Sequence, residues 1–232
     1  MKKFFVILAM TAVMTSCGLL SSTSPATTGN TRGEKYPKFY EEKPVVLLVM
    51  PPMNNTSYVE AKEYLYSSIS LPLAEAGYYV ISPFLAMDIL RAESAYDTEM
   101  FVDAPLDKFR EFFGCDAVVF SEIQEWSKVG TGIDVKVRYF IKSATNGEIM
   151  FDRTCDLYLD LDMELASSSS ALGSLINLAA SAINTAATGH IVAARKANHS
   201  IFMDIPRGKY HPSFMQDMDL PAGDQEIKVV TK

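Results

Sequence analysis

The rhythm of apolar and polar positions changes twice along the chain, and each change marks a change of architecture. Residues 45–50 are a continuous apolar run of strand length, as expected for a central strand covered on both faces. Pro51 and Pro52 cannot donate to a ladder and are expected to end it. Asn54, Asn55 and Thr56 supply turn chemistry, and Ser57 with Glu60 matches a capping box that would open a helix over residues 58–76. Val59, Leu65, Ile69 and Leu73 keep helical spacing there, with Pro72 kinking the helix near its end and Gly77 closing it. A second short strand follows over 78–82, then a short helix from Pro83 to Ala92. Another helix begins at Asp103 to Pro105, carries Leu106, Phe109, Phe112 and Phe113 on one side, and stops at Gly114. Residues 115–123 return to near-continuous strand. This β-α-β-α-α-β order favours parallel pairing with helical crossovers.

At residue 133 the period drops to two. Ile133, Val135, Val137, Tyr139 and Ile141 alternate with Asp134, Lys136, Arg138 and Lys142, the pattern of a strand with one wet face. Asn146-Gly147 is a strong hairpin signal, so residues 148–161 are expected to return antiparallel, with Leu157, Leu159 and Leu161 alternating with Asp156, Tyr158 and Asp160. The expected fold is therefore α/β, with a mixed sheet: a parallel first half and an antiparallel meander as the second.

The second change of rhythm comes at residues 165–194, which hold no Lys, Arg, Asp or Glu. Leu172, Leu175, Ile176, Ala179 and Ile183 recur at helical spacing among Ser, Ala and Asn. Small residues permit close helix approach, so a long helix over 165–198 is expected to pack on its own sheet or on a partner; a membrane span is the alternative by length. Residues 199–232, with Pro206, Gly208, Pro212, Pro221 and Gly223, read as a largely irregular tail that wraps the core.

The amino terminus changes the picture from fold to place. Lys2 and Lys3 precede an apolar stretch over residues 4–13, and Met14-Thr15-Ser16 precede Cys17. That is a secretory signal peptide over residues 1–16, whose apolar run of roughly ten residues is too short to span a bilayer. Small residues before a cysteine resemble the lipobox of bacterial lipoproteins, in which the cysteine is lipidated and becomes the new amino terminus. The resemblance implies acyl chains on Cys17, each buried CH₂ adding about 0.8 kcal/mol of membrane affinity. Gly18 rather than an acidic residue follows Cys17. By resemblance to envelope sorting rules, this favours the outer membrane on its periplasmic side. Residues 17–43 carry Ser, Thr, Gly and Pro with no periodic apolar face, and are expected to form a flexible tether before the α/β core of residues 44–164.

Composition then narrows the chemistry. A formal net charge of −7 disfavours nucleic acid, which demands a basic face. Cys115 and Cys155 both fall in predicted strands, where a lone cysteine behaves as a small buried hydrophobe; a disulfide is the alternative. No CxxC, HExxH, GxSxG or phosphate-loop motif occurs, so no metal, cofactor or catalytic residue is expected. His190 and His199 lie nine apart, on roughly opposite sides of a helix, and read as polar surface residues. One candidate ligand or partner loop remains: Pro51, Pro52, Asn54, Asn55 and Ser57 at the carboxyl end of a strand, where open α/β sheets bind ligands. The turn reading accounts for nearly every residue in it.

Five ordered blocks carry a resemblance: Pro51-Pro52-x-Asn54; Leu71-Pro72-Leu73-Ala74-Glu75-x-Gly77-Tyr78-Tyr79-Val80; Phe113-Gly114-x-Asp116-Ala117-Val118; Thr145-Asn146-Gly147; and Pro206 to Pro212. Together they resemble a bacterial lipoprotein family of unknown function that includes genome-derived surface antigens. The resemblance covers about residues 43–214. It implies an envelope lipoprotein with a core similar to the amino-terminal domain of the TolB translocation protein, associated with lipoproteins similar to the curli-secretion channel protein, and no catalytic residues. The leading expectation is a non-enzymatic accessory or assembly component that contacts envelope proteins or a second copy of itself. A periplasmic small-ligand module using the 51–57 loop is the alternative, and an envelope hydrolase the third.

Overall fold

A computed structural model describes residues 30–161 and 185–231. Among them the sheet has seven strands: β1 Val46–Val49, β2 Met53–Asn54, β3 Tyr79–Val80, β4 Ala117–Val129, β5 Gly132–Ser143, β6 Ile149–Asp160 and β7 Glu226–Thr231. The path across it is β3-β1-β4-β5-β6-β7, with β2 also on β4. β1 pairs parallel with β3 and β4, while β4-β5-β6 run antiparallel, so the change of period at residue 133 does mark the change from crossover to meander. The hairpin turns at Asn146-Gly147, where Gly147 takes φ +74°.

Helices cover one face fully and the other only in part. On the first face lie α1 Arg32–Lys35, α2 Pro37–Glu42, α3 Ala61–Ser68, α4 Ser70–Glu75 and α7 Thr185–Phe202. They enclose Leu47, Val49, Val119, Val137, Tyr139, Ile141, Cys155 and Leu157 with Leu65, Ile69, Leu73, Ala197 and Ile201. On the second face α5 Pro83–Ala92, a 3₁₀ turn at Thr98–Phe101 and α6 Asp107–Phe113 cover Leu48, Met50, Val118, Phe120 and Phe140. Each fully buried Leu, Ile or Phe contributes roughly 1.5–3 kcal/mol. Among the described residues the remainder of that face, from Asp134 to Arg138 on β5 and from Asp152 to Asp156 on β6, is largely charged and half-exposed. Cys115 and Cys155 are free, buried, and on opposite sides of the sheet, with burial raising both thiols to about 12.

Several boundaries differ from the expectation. The tether expected to reach residue 43 stops short of it, because α1 and α2 belong to the folded body, with Tyr36, Phe39 and Tyr40 buried. Tyr36, Phe39 and Tyr40 stand three and four apart, a short helical face that the Ser, Thr, Gly and Pro around it hide in the sequence and that the sheet covers in the fold. Thr31 and Glu34 form a reciprocal capping box at the start of α1. The helix expected over 58–76 is two helices, with Ile69 between them, and Pro72 sits inside the second. The carboxyl tail is irregular over residues 203–225 but then adds β7, parallel to β6, so the second half of the sheet is not purely antiparallel. The helix of the uncharged segment runs on to Phe202; Leu172, Leu175, Ile176, Ala179 and Ile183 lie outside the described residues. Among the described residues no helix is long and apolar enough to cross a membrane.

Candidate functional site

The loop after β1 is built from backbone that the prolines leave unpaired. Met50 N still donates to Val119 O at 2.9 Å, and after Pro51-Pro52 the chain rejoins β4 as β2, with Met53 beside Glu122 and Asn54 beside Ile123. Val49 pairs with Val119, so four steps on this side match three on β4. The prolines thus bulge the strand and do not end it. Asn54 then organises the turn: its Oδ1 accepts from Thr56 N at 3.0 Å and Thr56 Oγ1 at 2.7 Å, and its Nδ2 donates to Tyr58 O at 2.9 Å. Tyr58 N donates to Thr56 Oγ1, Asn55 Nδ2 to Glu122 Oε1 at 2.8 Å, and buried Thr98 Oγ1 to Pro51 O at 2.7 Å. The polar groups that made this loop a ligand candidate bind the loop to itself and to its neighbours. Nor does the Ser57/Glu60 capping box form. The Asn54 turn holds residues 54–58 in place, so α3 starts at Ala61 with Glu60 as an αR N-cap that makes no side-chain bond.

Behind this loop the structure assembles a cluster that composition alone did not place. Trp126 Nε1 donates to His190 Nδ1 at 2.8 Å, and the imidazole stacks on Tyr58 with centroids 4.4 Å apart and lies 6.1 Å from Tyr64. His190 is 5% exposed and is not a surface residue. Glycine eases the approach: a Cβ on Gly189 would lie 2.8 Å from Leu161 Cδ2 and 3.2 Å from Ile133 Cδ1, and those methyls would have to give way. Because Nδ1 accepts, the ring is neutral with its proton on Nε2. Burial lowers the His190 pKa, Lys128 lowers it further, and Glu60 opposes both. His199 is exposed one face away, and His211 Nδ1 accepts from Ser213 N at 3.0 Å. The three imidazoles therefore do not converge. Among the described residues no group of three or more His, Cys, Asp or Glu could hold a metal ion.

A third arrangement ties the two ends of the folded body together. Arg32, 7% exposed, donates to Asp217 Oδ2 at 3.0 Å, and Arg207 N donates to the same oxygen at 2.9 Å. Arg153, with no exposed surface, pairs with Asp204 and donates through Nε to Asp224 O at 2.7 Å. Lys35 Nζ donates to Gly223 O, and the backbones of Arg32 and Gly33 donate to Leu220 O and Met218 O, each at 2.9 Å. Alternation in β6 already places Arg153 on the apolar face with Phe151, Cys155 and Leu157, a signal the pattern contains. Its partners 51 and 71 residues away carry no such signal.

Residues of the five sequence blocks take structural positions in this frame. Asp116 Oδ2 accepts from Val45 N at 2.8 Å and Val46 N at 2.9 Å, fixing the start of β1, and Gly114 caps α6 in the left-handed region. The block around Gly77 meets the block around Gly208: Gly208 N donates to Ala76 O at 2.9 Å, Tyr210 N to Gly77 O at 3.0 Å, and Tyr78 Oη to Pro206 O. A Cβ on Gly208 would stand 2.4 Å from Gly77 O, so the contact needs glycine.

The sheet, clamped by the segments at its two ends and with its block residues holding structure, defines the class as an α/β body with a mixed sheet. Residues 34–199 match the family described as "Putative lipoprotein GNA1162-like", and the chain belongs to that family. A relative from Neisseria meningitidis serogroup B, named "Putative lipoprotein NMB1124/NMB1162", is 30% identical over 91 residues, which span 39% of this chain and 42% of the relative. Among solved structures, lipoprotein GNA1162 from Neisseria meningitidis is similar with 22% identity and a TM-score of 0.47, over 60% of this chain and 96% of that one. A PelC dodecamer from Paraburkholderia phytofirmans is similar with 16% identity and a TM-score of 0.38, over 72% of this chain and 90% of that one.

Proposed function

We propose that this protein is a lipid-anchored envelope lipoprotein that acts without catalysis, as an accessory or assembly component docking on other envelope proteins at the periplasmic face of the outer membrane. Membership of a lipoprotein family supports the anchor, with Cys17 as its site. The observation that carries the docking is the exposure of large apolar side chains on the elements flanking β3, on both faces of the sheet edge. Within fifteen residues of chain, Leu71, Tyr79, Phe84 and Leu85 are 64%, 58%, 79% and 55% exposed, beside an edge strand of only two residues. Each of these side chains, covered by a partner surface, gains roughly 25 cal/mol per Å² of apolar area removed from water. The uncharged segment, through Leu172, Leu175, Ile176, Ala179 and Ile183, is a second docking element in this proposal.

The 51–57 loop favours the same reading over a ligand module, because the Asn54 amide holds the turn and the Asn55 amide is bonded to Glu122. The test is photo-cross-linking in intact cells from position 84, with position 136 on the wet face as control. Envelope proteins or a second copy captured from position 84 and not from position 136 support docking; a bare monomer at both positions overturns it. Mass spectrometry of the mature amino terminus checks the anchor separately: an unmodified Cys17 thiol would remove it.

A further inference from the structure

On the second face of the sheet α5 and α6 stand apart over a cavity of about 640 Å³. Its walls are hydrocarbon: Ile89 and Leu90 from α5, Phe101 from the 3₁₀ turn, and Phe109, Phe112 and Phe113 from α6. Leu90 and Phe109 belong to the buried core beneath, so the floor is rigid. The rings brace each other, Phe101 with Phe109 at 5.0 Å and Phe112 with Phe113 at 5.1 Å between centroids. Phe112, 61% exposed, stands on the open side. The volume falls in the ordinary range of small-molecule sites, roughly 300–1,000 Å³, and exceeds what one partner side chain fills.

The charges of this cavity decide what enters. Its ionised lining residues, Glu93, Lys108 and Glu111, all lie at exposed positions, and Lys108 Nζ is already 3.2 Å from Glu111 Oε2. That leaves Glu93 as the unbalanced charge. An anionic head group would meet a carboxylate there, and a polar interior group would lose its water without a partner. We propose that this cavity binds an uncharged alkyl chain, of the kind carried by a long-chain alcohol or a neutral acyl ester.

The test displaces the uncharged fluorophore N-phenyl-1-naphthylamine from the purified mature protein, beginning at Cys17, with 1-octanol, 1-decanol and 1-dodecanol. Affinity should rise by roughly tenfold for each added pair of CH₂ groups, as full burial of methylenes requires. Dodecanoate should bind more weakly than 1-dodecanol. Ala104→Trp, which fills the cavity from a half-exposed wall position, should weaken 1-dodecanol at least tenfold with an unchanged Tm, and Phe112→Ser should weaken it less. Affinity independent of chain length, equal or tighter binding of dodecanoate, or Ala104→Trp binding like the parent would each overturn the assignment. Cys17→Ser separates two sources of the same chemistry. If 1-dodecanol binds only to this variant, the chain's own acyl group occupies the cavity; if it binds to both proteins, the alkyl chain comes from elsewhere.

Discussion

Asp152 and Arg153 are neighbours on β6 and point to opposite faces of the sheet. Asp152 accepts from Arg138 Nη2 at 2.7 Å and Nε at 3.0 Å, across side chains 29% and 37% exposed. Arg153 pairs with Asp204 with no exposure of its own. Both are arginine–carboxylate pairs, yet they do different work. On the open face water solvates either partner alone, so the pair tunes the sheet's surface. Beneath α7 and the tail, Arg153 has no water to fall back on, so its partners must arrive for the chain to close. The charged face tolerates change, and the covered face holds the amino and carboxyl segments to one another.

Breaking the covered side should have the largest effect. Asp204→Ala leaves a buried guanidinium without its carboxylate and should cost about 3–5 kcal/mol, read by urea denaturation. If the cost is below about 1 kcal/mol, Arg153 is held by its carbonyl contacts alone. Gly208→Ala drives a Cβ into Gly77 O and should cost about 2–4 kcal/mol, while Gly130→Ala, where a Cβ meets nothing within 4 Å but φ is +59°, should cost only about 1 kcal/mol. The contrast separates steric conflict from backbone preference.

Next in size is Trp126→Phe, which removes the donor to His190 and should cost about 1–3 kcal/mol. In the parent, His190 has its folded pKa below the ordinary 6.5 because burial disfavours the charged ring. The unfolded chain therefore binds more protons, so the contribution of His190 is complete above about pH 6.5 and is lost as pH falls from there through the folded value. The emission of Trp126, the chain's single tryptophan, should follow the same titration, and His190→Gln should abolish it. A parent and variant with the same stability profile between about pH 7 and 5 would show that the ring is not coupled to folding. The smallest effect belongs to the open face: Lys136→Ala, which breaks a 3.2 Å contact with Glu226, should change stability by less than about 1 kcal/mol and less still in high salt.

Strand periodicity is legible because it is a local property: one covered face forces period two, and two covered faces force a continuous run. Hence β1 and the β5–β6 hairpin are readable to within a residue or two at their ends. The 51–57 loop is legible as a turn but not in detail, since Pro51-Pro52 bulges a strand only because β4 continues beside it and offers Ile123 O to Asn55 N. The same holds for Ser57, whose capping chemistry is real but loses to the Asn54 turn. His190 reads as polar and superficial because nothing within a helical turn of it predicts Trp126, 64 residues away.

The sequence by itself determined the class of fold and the place of the change from parallel to antiparallel pairing. Both depend on spacing over a few residues, where covalent geometry sets the repeat. Tertiary structure alone decided that β7 joins the sheet, which partners Arg153 meets, and that Arg32 and His190 are buried. Those outcomes depend on which distant surfaces meet, and a buried charge or imidazole is stable only where its particular partners are brought to it.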